Sequence, residues 1–98
     1  MALQIQASKH LVYHAAWKKD RNMDVIKEAA MAKLMSSESA MNICTEAIQI
    51  LGGYGYIHEY DVERFFRDAK ILEIGEGTSE IQRIIISREI LKSYQPNE

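Results

Sequence analysis

Residues 25–51 read VIKEAAMAKLMSSESAMNICTEAIQIL, and their hydrophobic spacing decides the fold. Ile26, Ala30, Leu34, Ser37, Met41, Cys44, Ile48 and Leu51 step by 4, 4, 3, 4, 3, 4 and 3, a near-heptad stripe that lines up on one face of an α-helix. At the helical rise the segment forms a rod of roughly 40 Å. Ser36, Ser37 and Ser39 are small enough to let a second helix approach closely at mid-length. Gly52 follows the last stripe residue, where a left-handed C′ residue belongs.

Glycine usage divides the rest of the chain. All five glycines lie between residues 52 and 77, the only proline is Pro96, and the flanking glycine-free stretches suit helices. Upstream, Leu3, Ala7, Leu11 and Ala15 recur every four residues and predict a first helix from about Leu3 to Asp20, with Lys18 and Lys19 at its negative end. Arg21 to Met23 then makes a turn, and Asp24 is placed to cap the long helix. Downstream, a shorter helix is expected from about Asp61 to Ala69, turning Val62, Phe65, Phe66 and Ala69 inward. A fourth starts at Thr78 or Ser79, with Ser79 and Gln82 spaced as a capping box, and runs to about Tyr94. The fold class is all-α, a four-helix bundle.

Composition excludes several functions. Twelve basic residues against fourteen acidic ones give a net charge of −2, and no basic cluster marks a nucleic-acid footprint. One cysteine, Cys44, rules out an internal disulfide and suits a reducing compartment, so a cytoplasmic location, or an organelle matrix for a longer precursor, is expected. The longest strictly aliphatic run is Ile84 to Ile86, far short of the ~20 residues of a membrane span, and Met1 to His10 lacks the pattern of a signal peptide.

His10 and His14 have metal-compatible spacing but lack a third local ligand, so they read as surface or interfacial histidines and no metal is expected. Gly52-Gly53-Tyr54-Gly55-Tyr56 fits neither the dinucleotide fingerprint nor the phosphate loop. By itself it is a helix stop with a tight turn, although its bare backbone can present N–H groups to a phosphate. Cys44 lies on the apolar stripe and reads as a packed thiol. Gly75-Glu76-Gly77-Thr78 sets an acid between two glycines just ahead of a helix. Such an acid either complements the positive helix end or stands in an open site.

The segments Gln49-Ile-Leu-Gly-Gly-Tyr-Gly-Tyr56, Val62-Glu-Arg-Phe-Phe-Arg-Asp-Ala-Lys70 and Glu76-Gly-Thr-Ser-Glu-Ile-Gln-Arg83 together resemble the C-terminal signature of the acyl-CoA dehydrogenases, in that family's order and spacing. The likeness continues upstream through Tyr13-His-Ala-Ala-Trp17 and Lys27-Glu-Ala-Ala-Met-Ala-Lys33, and so covers essentially the whole chain. It implies that residues 1–98 are an incomplete C-terminal helical domain. The domain's first helix, a middle β-domain and an N-terminal helical domain are missing, whether by excision or through a truncated gene. In the family this segment packs against the β-domain with flavin adenine dinucleotide (FAD) in the crevice. The enzyme removes an α-proton from an acyl-CoA thioester while a hydride passes from the β-carbon to the flavin.

The resemblance makes Glu76 the α-proton base, and its backbone N–H a donor to the thioester oxygen. A carboxylate in water is far too weak for that proton. A dry site strengthens it, and N–H donors stabilise the developing enolate. Gln49, Gly52 and Gly53 match residues on the adenine and pyrophosphate side of a flavin held by a neighbouring subunit; Thr78 and Glu80 match flavin contacts, and Gly77 lies beside the acyl-CoA. A homo-oligomer is therefore expected. Two positions depart from many relatives: Gly75 stands where tyrosine is common, and Glu80 where some have glutamine. The alternatives are a non-catalytic helical interaction or oligomerisation module, and an acyl-CoA oxidase-type relative.

Overall fold

In the computed structural model of the chain, residues 1–94 are described, and they form four α-helices with no strand among them. Helix α1 spans Ala2–Asp20. It ends in a paired C-terminal motif: the Met23 N–H donates to the Lys18 carbonyl and the Asn22 N–H to that of Lys19, both at 3.1 Å, with Asn22 at φ 58°. Helix α2 spans Ile26–Leu51, and its N-cap is Val25, one residue after the expected Asp24, whose carboxylate accepts from the Ile26 N–H at 3.1 Å. Gly52 ends it with φ 61° and ψ −134°, a backbone region open essentially to glycine alone.

Two short 3₁₀ turns, Gly52–Tyr56 and His58–Tyr60, lead into α3, Val62–Leu72. This helix runs beyond Ala69, the expected end, because Lys70, Ile71 and Leu72 carry no helix-breaking feature and the next glycine is Gly75. Phe65 also departs from expectation: it is 52% exposed, and Ala69 is the residue of α3 that is buried. Helix α4 spans Ser79–Ser93. Its cap is Thr78, whose hydroxyl accepts from the Ile81 N–H at 3.2 Å. The expected Ser79–Gln82 box is thus displaced by one residue. Ser79 is the first helical residue and is buried, and Gln82 turns back toward the preceding loop.

Helices α1, α3 and α4 each pack on α2, and their backbones do not pack on one another. Alanine and serine make the contact: Ala30, Ala32, Ser37 and Ser39 are the buried residues of α2. Ser37 returns its hydroxyl hydrogen to the Lys33 carbonyl at 2.7 Å, which spares it an unpaired donor in the seam. Larger side chains of the stripe, such as Leu34 and Met41, are half-buried beside them. Between α1, α2 and α4 runs an apolar groove of about 500 Å³, lined by Leu11, Met31, Leu34, Met35 and Ile86 among others.

The assembly is open. Its radius of gyration is 16.5 Å, against about 13 Å for a compact chain of this length. Its surface is 7311 Å² at 11.2 kDa, where a compact monomer exposes about 5,700 Å². The excess is about twice what one partner contributes to an ordinary protein–protein interface. Leu3, Ile50, Tyr56, Ile84 and Leu91 are more than half exposed. No described helix is long and apolar enough to cross a membrane.

One cross-helix ion pair fixes the α1–α2 corner: Lys18 Nζ donates to Glu28 Oε1 at 2.9 Å. That hydrogen bond holds the Glu28 carboxyl below its ordinary value of 4.5. A depressed carboxyl contributes stability above its unfolded pKa and loses it as pH falls through the folded one. Glu28→Gln should therefore cost roughly 0.5–1 kcal/mol at pH 6 and less near pH 3. Melting curves at both pH values check this. The variant and the parent should converge in the acid.

Candidate functional site

Gly75 is the hinge between α3 and the loop that follows; its N–H donates to the Ile71 carbonyl at 2.8 Å. Glu76 then adopts φ 58° and Gly77 φ 99°, two successive left-handed residues, the first carrying a side chain. That conformation is unfavourable for an L-residue by about 1–2 kcal/mol and persists only where the surroundings hold it. Three contacts hold it here. The Ser79 N–H donates back to the Glu73 carbonyl at 3.0 Å. Gln82 Nε2 lies 3.5 Å from the Glu76 carbonyl oxygen and 3.4 Å from that of Gly77. Lys33 Nζ, from α2, donates to the Gly77 carbonyl at 2.7 Å. The Glu76 residue itself is exposed.

Glycine at 77 is favoured by the backbone, and a side chain there would also displace the Gln82 amide. Besides its positive φ, an added Cβ would sit 2.6 Å from Gln82 Nε2. Thr78 and Glu80 follow at once, so four of the residues singled out by sequence, Glu76, Gly77, Thr78 and Glu80, share the start of α4. A polar groove of about 390 Å³ opens beside Thr78, Ser79 and Glu80, with Lys70, Arg83, Glu38 and Glu73 on its walls. Arg83 pairs with Glu38 across it, tying α4 to α2. The Ser79 hydroxyl is buried without a hydrogen-bond partner.

Gln49, Gly52 and Gly53 form a second patch at the far end of α2. Gly77 is tied to α2 at Lys33, and Gln49 lies sixteen residues further on, which places the patches roughly 24 Å apart along the helix. A groove of about 570 Å³ adjoins this patch, lined by Thr45, Ile48, Gln49, Tyr56, His58 and Phe66 among others. The glycines of the turn are glycine for different reasons. Gly52 needs its positive φ. Gly55 is buried with Ile48 backbone atoms 2.7 and 2.9 Å from where a Cβ would lie, so the turn packs directly on the α2 backbone. At Gly53 the φ is ordinary and nothing lies within 4 Å of an added Cβ. The fold places no demand for glycine there.

His14 stacks on Trp17 with ring centroids 6.4 Å apart, and no group of three or more His, Cys, Asp or Glu side chains placed to hold a metal occurs among the described residues. Cys44 is half-buried and burial pushes its thiol up, away from the reactive thiolate. Sequence reasoning assigned no role to Lys33 and gave Gln82 a capping role in place of its contacts to the loop. Lys33 lies 44 residues from the carbonyl it contacts, and nothing in the linear spacing announces that contact.

Residues 1–91 match the family model described as the acyl-CoA dehydrogenase C-terminal domain. A probable acyl-CoA dehydrogenase of Bacillus subtilis is 58% identical over 94% of the chain and 24% of its own length. The human mitochondrial short-chain specific acyl-CoA dehydrogenase is 54% identical over 97% of the chain and 23% of its own length. Among solved structures, butyryl-CoA dehydrogenase from Megasphaera elsdenii superposes with a TM-score of 0.91 at 48% identity, covering 93% of this chain and 24% of that one. The FAD complex of PigA gives 0.89 at 33% identity, over 92% of this chain and 24% of that one. The chain thus spans about a quarter of the length of the relatives it matches.

The glycine contrast is directly testable. Gly55→Ala drives a Cβ into the Ile48 backbone and should cost about 2–3 kcal/mol. Gly53→Ala meets nothing and should leave stability unchanged or raise it by up to ~1 kcal/mol. Chemical denaturation of the two variants, monitored by circular dichroism, separates them; equal losses would contradict the packing described.

Proposed function

Since the chain belongs to the acyl-CoA dehydrogenase family, as its C-terminal domain, we propose that it supplies the catalytic base for α,β-dehydrogenation of an acyl-CoA thioester. The observation that carries this reading is Glu76 itself: an exposed carboxylate in a strained backbone conformation, pinned by contacts from two helices. Strain at an exposed charged residue serves no packing purpose, and strain of this kind collects at functional sites.

In this reading Glu76 takes the proton from the thioester α-carbon, and its N–H donates to the thioester oxygen as negative charge grows there. Gly77 lets the acyl group lie close to the backbone. Thr78 and Glu80, at the positive end of α4, face the cofactor. FAD, when bound, accepts the hydride leaving the β-carbon as the carbon–carbon double bond forms. Gln49, Gly52 and Gly53 meet the adenine and pyrophosphate side of a flavin in a neighbouring copy, which accords with the distance between the two patches. Gly53 fits that role because the fold leaves it bare and open. The exposed apolar surface then faces other copies and the remaining three quarters of such an enzyme.

The decisive variant is Glu76→Gln in a chimera in which residues 1–91 replace the matching C-terminal quarter of the M. elsdenii enzyme. Flavin content and acyl-CoA binding should persist, while flavin reduction by substrate in anaerobic stopped flow falls by about 10³-fold or more. A rate within a few-fold of the parent would show that Glu76 is not the base.

The chain alone should self-associate without retaining flavin, because it presents an interface-sized excess of surface and only edges of the cofactor site. Sedimentation with added FAD checks both at once. Flavin absorbance should stay with the small-molecule fraction while the protein sediments as a dimer or larger. A flavin-loaded or strictly monomeric boundary at high micromolar concentration would contradict it.

A further inference from the structure

We infer that Lys33 is a positioning residue for the Glu76 carboxylate, acting through the Gly77 carbonyl. This rests on the reading of Glu76 as the base. Glu76 and Gly77 have φ values of 58° and 99°, so the turn does not keep its shape through local preference. Its hydrogen bonds differ in strength. The two from Gln82, at 3.5 and 3.4 Å, are long and shared by one amide nitrogen. The bond from the Lys33 ammonium, at 2.7 Å, is short and charge-assisted, and it is the strongest anchor on the turn.

The origin of each anchor also differs. Thr78 caps α4 through Ile81, and Gln82 belongs to α4, so both fix the turn relative to the helix that follows it. Lys33 belongs to α2, next to the buried Ala32, and fixes the turn relative to the helix on which the others pack. Without Lys33 the turn is held to α2 only indirectly, through α3 and α4. Displacing a base by about 1 Å lowers a proton-transfer rate by up to about a hundredfold even when substrate still binds. Lys33 therefore bears on the chemical step more than on binding.

The test uses the same chimeric holoenzyme. Lys33→Met keeps the aliphatic stem and removes the donor; Lys33→Arg restores a cationic donor. With Lys33→Met, the rate of flavin reduction should fall roughly tenfold to a hundredfold while flavin content and the acyl-CoA dissociation constant stay within about threefold. Amide exchange in a peptide spanning residues 75–78 should quicken by about fivefold or more, with peptides from α2 unaffected. Lys33→Arg should recover most of both. The inference is overturned by a Lys33→Met rate within about threefold of the parent, by a rate that falls only in step with flavin loss, or by unchanged exchange across residues 75–78. Glu76→Gln separates the two readings: if that variant keeps its rate, the base assignment fails and the positioning role falls with it. If Glu76→Gln is dead and Lys33→Met is fast, only the positioning role falls.

Discussion

How near the other helices come to α2 is set by Ala30, Ala32, Ser37 and Ser39, and the rest of the molecule follows from that distance. Small side chains let the backbones approach closely, so most of the packing on α2 is achieved without any large side chain being completely buried. The hydrophobic effect is proportional to apolar area removed from water, and here the larger apolar groups remain half in it. A core of this kind sets geometry well and contributes stability poorly. The loops at the two ends of the packing are held in position while the apolar surface around them stays open.

What the sequence disclosed follows from the range over which each feature acts. The stripe from Ile26 to Leu51 is periodic over 27 residues, so α2 was legible almost to the residue. The stop at Gly52 was equally legible, and the start was placed within one residue, the cap being Val25 with the Asp24 carboxylate bonded just ahead of it, because each depends on chemistry within a few residues. The end of α3 was missed for want of a local stop signal. The cap of α4 was misplaced by one residue because Thr78 and Ser79 both have the right side chain, and only their burial distinguishes them. Phe65 was expected inside with Val62, Phe66 and Ala69, which share its face of the helix. It faces outward because α2 is the only α-helix that α3 packs against among the described residues.

The loop at residues 75–78 shows the same divide. An acid between two glycines could be recognised as unusual, and the resemblance gave it a role. The contacts that hold its shape come from Lys33 and Gln82, one distant in sequence and the other apparently committed to a capping box. Tertiary hydrogen bonds leave no periodic trace, so these residues became visible only in three dimensions. At the other end of α2 the three-dimensional view separated glycines that look equivalent in the sequence. Gly52 answers to a backbone angle, Gly55 to the Ile48 backbone, and Gly53 to neither.

Because both patches ride on one uninterrupted helix, their relation is an angular one as well as a distance. Each residue of an α-helix turns the chain by about 100° and advances it by 1.5 Å. A single insertion between Lys33 and Gln49 would swing one patch more than a quarter-turn around the α2 axis while lengthening the gap only slightly. Deleting one would do the reverse. Residues along this stretch can be exchanged far more freely than their number can be changed, and a length change approaching tolerance would have to come as two whole turns, about seven residues. The length of α2 between its two loops thus acts as a phase setting, and drift in that length is opposed even where the individual side chains are free to vary.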